Sequence, residues 1–564
     1  MKFSDYKYYR PDLEALTANF DKLLLRLEKA ENPEAAAELI RELDRHRRDF
    51  DTMYNLCYIR HSIDTTDSFY ETENNWFDAH LPDFEQLNNR FYRAILTSKF
   101  REDLEKIFGK QLFNIARMKL EVFSPEIMDD LREENRLATE YMKLKATAEF
   151  ELDGETYNLS TIRAPMVDRD RDRREQAHRA QWSFYAEHRD RIESIFDQLV
   201  KVRHRIARTL GFENFIELGY KRMLRSDYGA ARVADFRQQV REQLVPLCTE
   251  LYERQRQRLG LDRLTIWDED FRFRTGNAAP QGDPAWIVAR AERMYRELSD
   301  ETHEFFQFMQ ERGLMNLVSQ MGKATGGYCT LIDNYESPFI FSNFNGTSDD
   351  IDVLTHEAGH AFQVYESRAL GVSDYAWPTY EACEIHSMSM EFFTWPWMEL
   401  FFEGETEKYK FAHLAGAIRF IPYGVAVDAF QHYVYEHPEA TPAERNAAWR
   451  ELEHQYLPQR DYDDLAMLNE GTFWQRQNHI FASPFYYIDY CLAEVCALQF
   501  WYRATEYRDA AWRDYLRLCR AGGSRSFLEL VELAGLRSPF EGGTMAETLK
   551  PVRTYLAGID DGNW

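Results

Sequence analysis

The sequence predicts a mainly α protein with one small patch of strand beside its chemistry. Three observations carry the prediction. Apolar residues recur at spacings of three and four, as in Leu23, Leu24, Leu25 and Leu27 and then Ile40 and Leu43. Few glycines or prolines interrupt residues 1–145. Strand-like composition is confined to two short stretches, 146–161 and 326–346.

Taken in order, residues 1–145 read as an N-terminal helical region and residues 146–564 as a second, catalytic region. At 146–161, Phe150 and Leu152 alternate before Asp153-Gly154, and Tyr157 and Leu159 follow, the pattern of a small hairpin. Helical periodicity then resumes. The run DRDRDRR at 168–174 alternates in sign at the start of a long helical segment and reads as a solvated face. RTGNAAPQGDPAW, 274–286, is a loop connecting helices. At 326–346, GGYCTLIDNYESPFIFSNFNG combines β-branched and aromatic residues between Gly, Asn and Ser, the second strand-like segment. From 347 the pattern is helical again, and no repeat of 20 to 50 residues is present.

Composition excludes several function classes. A formal net charge of -26 disfavours a sequence-independent grip on nucleic acid, which needs clustered Lys and Arg. The most apolar stretch, LAGAIRFIPYGVAV at 414–427, is interrupted by Arg419 and too short to span a bilayer. Seven cysteines without CxxC spacing read as reduced thiols. MKFSDYKYYR has no apolar core behind it, so no secretory signal is expected. The expectation is a soluble cytoplasmic protein that binds neither nucleic acid nor membrane.

The chemistry concentrates in LTHEAGHAFQ, 354–363. Thr347-Ser348-Asp349-Asp350 has the oxygens of a helix start, and on the helix that follows His356 and His360 lie one turn apart on one face. Both imidazoles can point at one divalent ion, with Glu357 able to reach a water on it. A third histidine in helix-extended spacing is excluded, because Gln363 and Glu366 stand where Gly and His are required. The third ligand is sought in PTYEACEIHSMSMEFFTWP, where Glu381, Glu384 and Glu391 each offer a carboxylate. Glu384 leaves the chain room to turn and bring a second helix against the first. Composition does not rank the three, and His386 is a further candidate. Zinc is the default single ion, although the same donors accept other divalent metals.

The blocks SPFIFSNFNGT, LTHEAGHAFQ, YEACEIHSMSMEFF and QNHIFASPFYYIDY, in this order, resemble the oligoendopeptidase F branch of the thimet oligopeptidase family of zinc metallopeptidases, and within it Pz-peptidase-type enzymes. The likeness covers most of residues 145–564. It implies a large two-lobed, clam-like helical body with a deep channel and a small sheet near the zinc helix, admitting oligopeptides. It implies His356, His360 and Glu384 as ligands of one Zn2+ and Glu357 as general base. His479, Tyr487 and Tyr490 fall where similar enzymes keep a His and Tyr pair for the transition state, with Tyr486 a rival for one tyrosine role.

The expected function is a zinc endopeptidase that hydrolyses internal bonds of short oligopeptides, including proline-containing, collagen-like ones. The alternatives are a catalytically silent peptide-binding protein and an exopeptidase on the same metal site. SPFIFSNFNGT, just before the zinc helix, is expected to accept an extended peptide at a sheet edge, or to be an internal strand with no free edge.

Overall fold

A computed structural model describes residues 1–320 and 322–564. Six helices build the N-terminal part: Leu13–Glu28, Pro33–Ile63, Ser68–Thr97, Arg101–Phe108, Lys110–Glu121 and Met128–Ala146. The second starts where Asn32 accepts from the Ala35 N–H and Pro33 takes the first turn. Its buried stripe, Ala36, Ile40, Leu43, Arg47 and Phe50, follows the helical period and carries one cation into the interior.

The expected hairpin is β1 (Phe150–Leu152) and β2 (Glu155–Tyr157), paired antiparallel. Asp153 and Gly154 both take positive φ, 56° and 80°, as a two-residue turn that follows strand twist requires.

The charge run behaves differently from the sequence reading. It does open a helix, Arg171–Glu187, but Arg171 and Arg174 hold the fully buried Asp268 at 2.9 and 2.8 Å, and Arg174 is itself buried. Alternating signs describe a solvated face only when no acid from elsewhere in the chain reaches it, and Asp268 lies 94 residues beyond Arg174.

A three-stranded sheet comprises β3 (Met315–Val318), β4 (Tyr328–Ile332) and β5 (Ser337–Phe344) in the order β3-β5-β4. β5 runs parallel to β3 and antiparallel to β4. The SPFIFSNF strand is therefore internal and offers no free edge. Its near-continuous burial is the signature of a central strand, and the edges belong to β3 and β4.

Beyond the sheet, the HExxH helix spans Asp349–Ser367 and a second helix spans Tyr380–Phe393. Asp350 fixes the first by accepting from the N–H groups of Asn345 and Gly346 at 2.7 and 2.9 Å. The two cross closely at Gly359, where a Cβ would stand 2.7 Å from His386 O and Ser387 Cα. Only glycine permits that approach.

The turn between the two helices is held by the N-terminal part. Arg47 and Tyr92 bind Asp374 at 2.7 and 2.6 Å, and Asp44 accepts from the Ser373 N–H at 3.0 Å. A helical segment, Tyr487–Ala521, kinked at Tyr507, then packs along Tyr380–Phe393. Among the described residues no helix is long and apolar enough to cross a membrane. All seven cysteines are free.

Candidate metal centre

His356 and His360 come from consecutive turns of one helix, and Glu384 comes from the first turns of the helix that crosses it. One donor atom from each lies within 4.8 Å of the others, the only such cluster among the described residues. His356 Nε2 stands 3.2 Å and His360 Nε2 3.5 Å from Glu384 Oε2. A tetrahedral ion with bonds of about 2.0 Å has ligand-to-ligand edges of about 3.3 Å, so the spacing fits zinc.

The surrounding bonds orient these donors. His356 Nδ1 donates to Glu391 Oε1 at 2.7 Å, which leaves the Nε2 lone pair toward the cluster. Glu391 Oε2 accepts from His413 Nε2, also at 2.7 Å. The tautomer of His413 follows from its other neighbour. The Trp395 indole N–H can only donate, and it reaches His413 Nδ1 at 3.3 Å, so Nε2 carries the proton. Glu384 accepts from Ser387 Oγ at 2.9 Å and Tyr486 OH at 2.6 Å. Burial opposes its charge, but the imidazoles of His360 and His356 outweigh burial and hold its carboxyl well below the usual range. His360 differs from His356, because its Nδ1 is buried with no partner.

Glu357 lines the same cavity, and its Oε2 is buried without a hydrogen bond. Burial raises its carboxyl, and the two imidazoles pull the other way. Gly327, just before β4, lies against it: a Cβ there would meet Glu357 Oε1 at 3.5 Å.

His479 sits on a short helix, Asn478–Ala482, held by the buried Arg203, which donates to Ile480 O at 3.3 Å and also to Phe481 O. Its proton can be located. Tyr423 OH donates to Gln477 Oε1 at 2.9 Å, which turns the amide NH2 of Gln477 toward His479 Nδ1 at 2.8 Å. His479 Nε2 therefore carries the hydrogen, and burial pushes the imidazole down to about 4, keeping it neutral.

Two cavities meet here. The larger, about 860 Å³, is walled by the three candidate ligands, Glu357, Tyr486 and residues of β4. The smaller, about 480 Å³, is walled by Glu391, His413, Phe420 and Tyr487. His479 and Tyr490 belong to both walls.

The candidates left open in sequence now separate. Glu391 backs His356. Glu381 is fully buried one turn earlier, outside the cluster, where burial raises its carboxyl to about 7 against the pull of Arg225. His386 is fully buried with both ring nitrogens unpartnered. Tyr486 touches Glu384, whereas Tyr487 lines only the smaller cavity. Sequence reasoning missed His413, Trp395, Gln477 and Tyr423 as supports. Only Glu391 had a signal, seven residues after Glu384 on the same helical face.

The peptidase M3 N-terminal domain model matches residues 3–123, and the peptidase family M3 model matches 165–281 and 292–548. A curated oligoendopeptidase F homolog of Borreliella burgdorferi is 22% identical, over 95% of this chain and 90% of its own. A solved structure of Pz peptidase A with an inhibitor is 53% identical with a TM-score of 0.98, and each chain is covered in full (100%). An oligoendopeptidase F structure from Bacillus anthracis is 51% identical with a TM-score of 0.94, over 100% of this chain and 99% of that one.

Proposed function

This chain belongs to peptidase family M3 and is a metallo-endopeptidase, and from that premise we propose that it is a zinc-dependent oligopeptidase acting in the cytoplasm. It hydrolyses internal bonds of short peptides, including proline-containing, collagen-like ones, as the resemblance to Pz-peptidase-type enzymes implies. The observation that carries the reading is the tetrahedral spacing of His356, His360 and Glu384 in the wall of a cavity that Glu357 shares. Free cysteines suit a reducing compartment.

His356, His360 and Glu384 would hold one Zn2+, whose chemistry is to polarise a peptide carbonyl and make a water more acidic. Glu357 takes the proton of the attacking water on its unpartnered Oε2 and later passes it to the leaving amine. His479 Nε2–H and the hydroxyl of Tyr490 or Tyr486 donate to the oxyanion as it develops. Tyr486 serves only after leaving Glu384, and Tyr490, on both cavity walls, is the freer donor. Tyr487, assigned to this role by resemblance, instead shapes the smaller cavity. The two cavities leave room for an extended peptide on either side of the scissile bond, and β4, the sheet edge in the larger one, can add it as a strand on the main-chain groups left beside Leu331 O, which already accepts from Asn55 at 2.9 Å.

The test incubates an end-blocked peptide of about ten residues, a collagen-like peptide and a folded protein with wild type and with Glu357→Gln. Mass spectrometry should find internal cuts in the peptides alone and none from the variant. Absence of cutting by metal-loaded wild type, or undiminished cutting by Glu357→Gln, removes this reading.

A further inference from the structure

β4 runs from the catalytic residues to a second cluster of charge. Gly327, before its first residue, packs against Glu357, and Asp333 directly follows its last, Ile332. At about 3.3 Å per residue the two ends stand roughly 20 Å apart. Asp333 lines the same large cavity, and there it is joined by Asp51 from the Pro33–Ile63 helix and Glu85 from Ser68–Thr97.

Apart from Glu357, whose open oxygen faces the metal cluster, these three carboxylates differ from the others in the cavity. Asp374 is bound by Arg47 and Tyr92, and Glu384 by Ser387 and Tyr486. The carboxylates of Asp51, Glu85 and Asp333 make no hydrogen bond or ion pair among the described residues, although Asp333 is only 7% exposed. A nine-tenths buried carboxylate that faces a cavity without a partner bears a desolvation cost that a ligand can relieve.

None of the nearby cations pairs with these carboxylates. Arg47 is spent on Asp44, Asp374, Asn88 and Tyr92. Arg48 donates to the main-chain oxygen of Asp333 at 3.2 Å, and its charge offsets only part of the burial. Lys119, on the wall of the same cavity, makes no hydrogen bond or ion pair with these acids among the described residues. Burial raises the Asp51 carboxyl, and the charges of Asp333, Glu85 and Asp44 raise it further, so the acids feel one another. Their oxygens are too widely spread to form a second metal cluster, which favours a larger, organic cation.

We infer that Asp333, Asp51 and Glu85 form a subsite for an ammonium or guanidinium group of the substrate, five or six residues from the scissile bond. The inference rests on the peptidase reading, with the peptide extended along β4. The cation is a Lys or Arg side chain or the peptide's own terminal amine.

The test uses end-blocked peptides of about fourteen residues, identical except for one lysine or Nε-acetyl-lysine placed four to seven residues from the cut on either side. A second set keeps a free amino terminus at the same distances. In wild type, kcat/KM for lysine over acetyl-lysine should rise to about tenfold at five or six residues on one side of the cut. In Asp333→Asn with Asp51→Asn, and more weakly in the half-buried Glu85→Gln, that ratio should fall toward one. A free amine that reproduces the preference identifies the terminus as the cation, and one that does not identifies the side chain. A ratio near one at every position, or one that survives the double variant, overturns the subsite. Fluorescence anisotropy of the same peptides on metal-loaded Glu357→Gln reads binding without cleavage. If wild type cuts nothing, the peptidase reading fails while anisotropy still decides the subsite.

Discussion

At the metal end of the large cavity, Glu384 accepts from Ser387 and Tyr486, and Glu391 accepts from His356 and His413. At the far end, the carboxylates of Asp51, Glu85 and Asp333 accept from no side chain among the described residues. The first arrangement satisfies Glu384 and Glu391 within the chain and leaves only Glu357 open, so the geometry of the metal-binding side chains is ready before substrate arrives. The second leaves charge unmet, so free protein bears a cost there that a bound cation removes. The difference separates groups that hold a fixed geometry from groups that recognise something that comes and goes.

The largest break in this comparison should come from Glu384→Ala. It should abolish stoichiometric metal, measured by atomic absorption after dialysis, while Glu381→Ala keeps it; the reverse would transfer the ligand role by one turn. Next is Tyr490→Phe, which should lower kcat by about a hundredfold or more with little change in KM. A matching rise in KM would make Tyr490 a binding residue instead. Glu391→Ala should weaken metal affinity by about ten- to a hundredfold in a chelator competition, since it frees His356 to rotate. Unchanged affinity would mean that the carboxylate does not orient the ligand.

The smallest effect sharpens the contrast from the other end. Burial pushes the Asp333 carboxyl up to about 7. A carboxyl raised on folding binds its proton more tightly in the native state, so it costs nothing at pH 4 and destabilises increasingly as pH rises toward 7. Asp333→Asn should therefore raise Tm at pH 8, by on the order of 1 kcal/mol in stability, and leave it unchanged near pH 4. A destabilising effect at pH 8 would show that Asp333 is a paired structural acid.

The sequence by itself determined much of this protein. Periodicity gave the helices, Asp153-Gly154 the hairpin, and the one-turn spacing of His356 and His360 a two-imidazole face, because each signal is local and repeats within a few residues. The tertiary structure alone decided the rest. It set Glu384 rather than Glu381 or His386 beside those imidazoles, through a helix crossing that Gly359 permits. It made SPFIFSNF an internal strand and turned two arginines of the charge run, one of them buried, onto Asp268. It gathered Asp51, Glu85 and Asp333 from three separate elements into one wall. Local spacing fixes which face of a helix a side chain occupies; what that face meets depends on packing between segments from tens to hundreds of residues apart, and no short pattern in the chain encodes it.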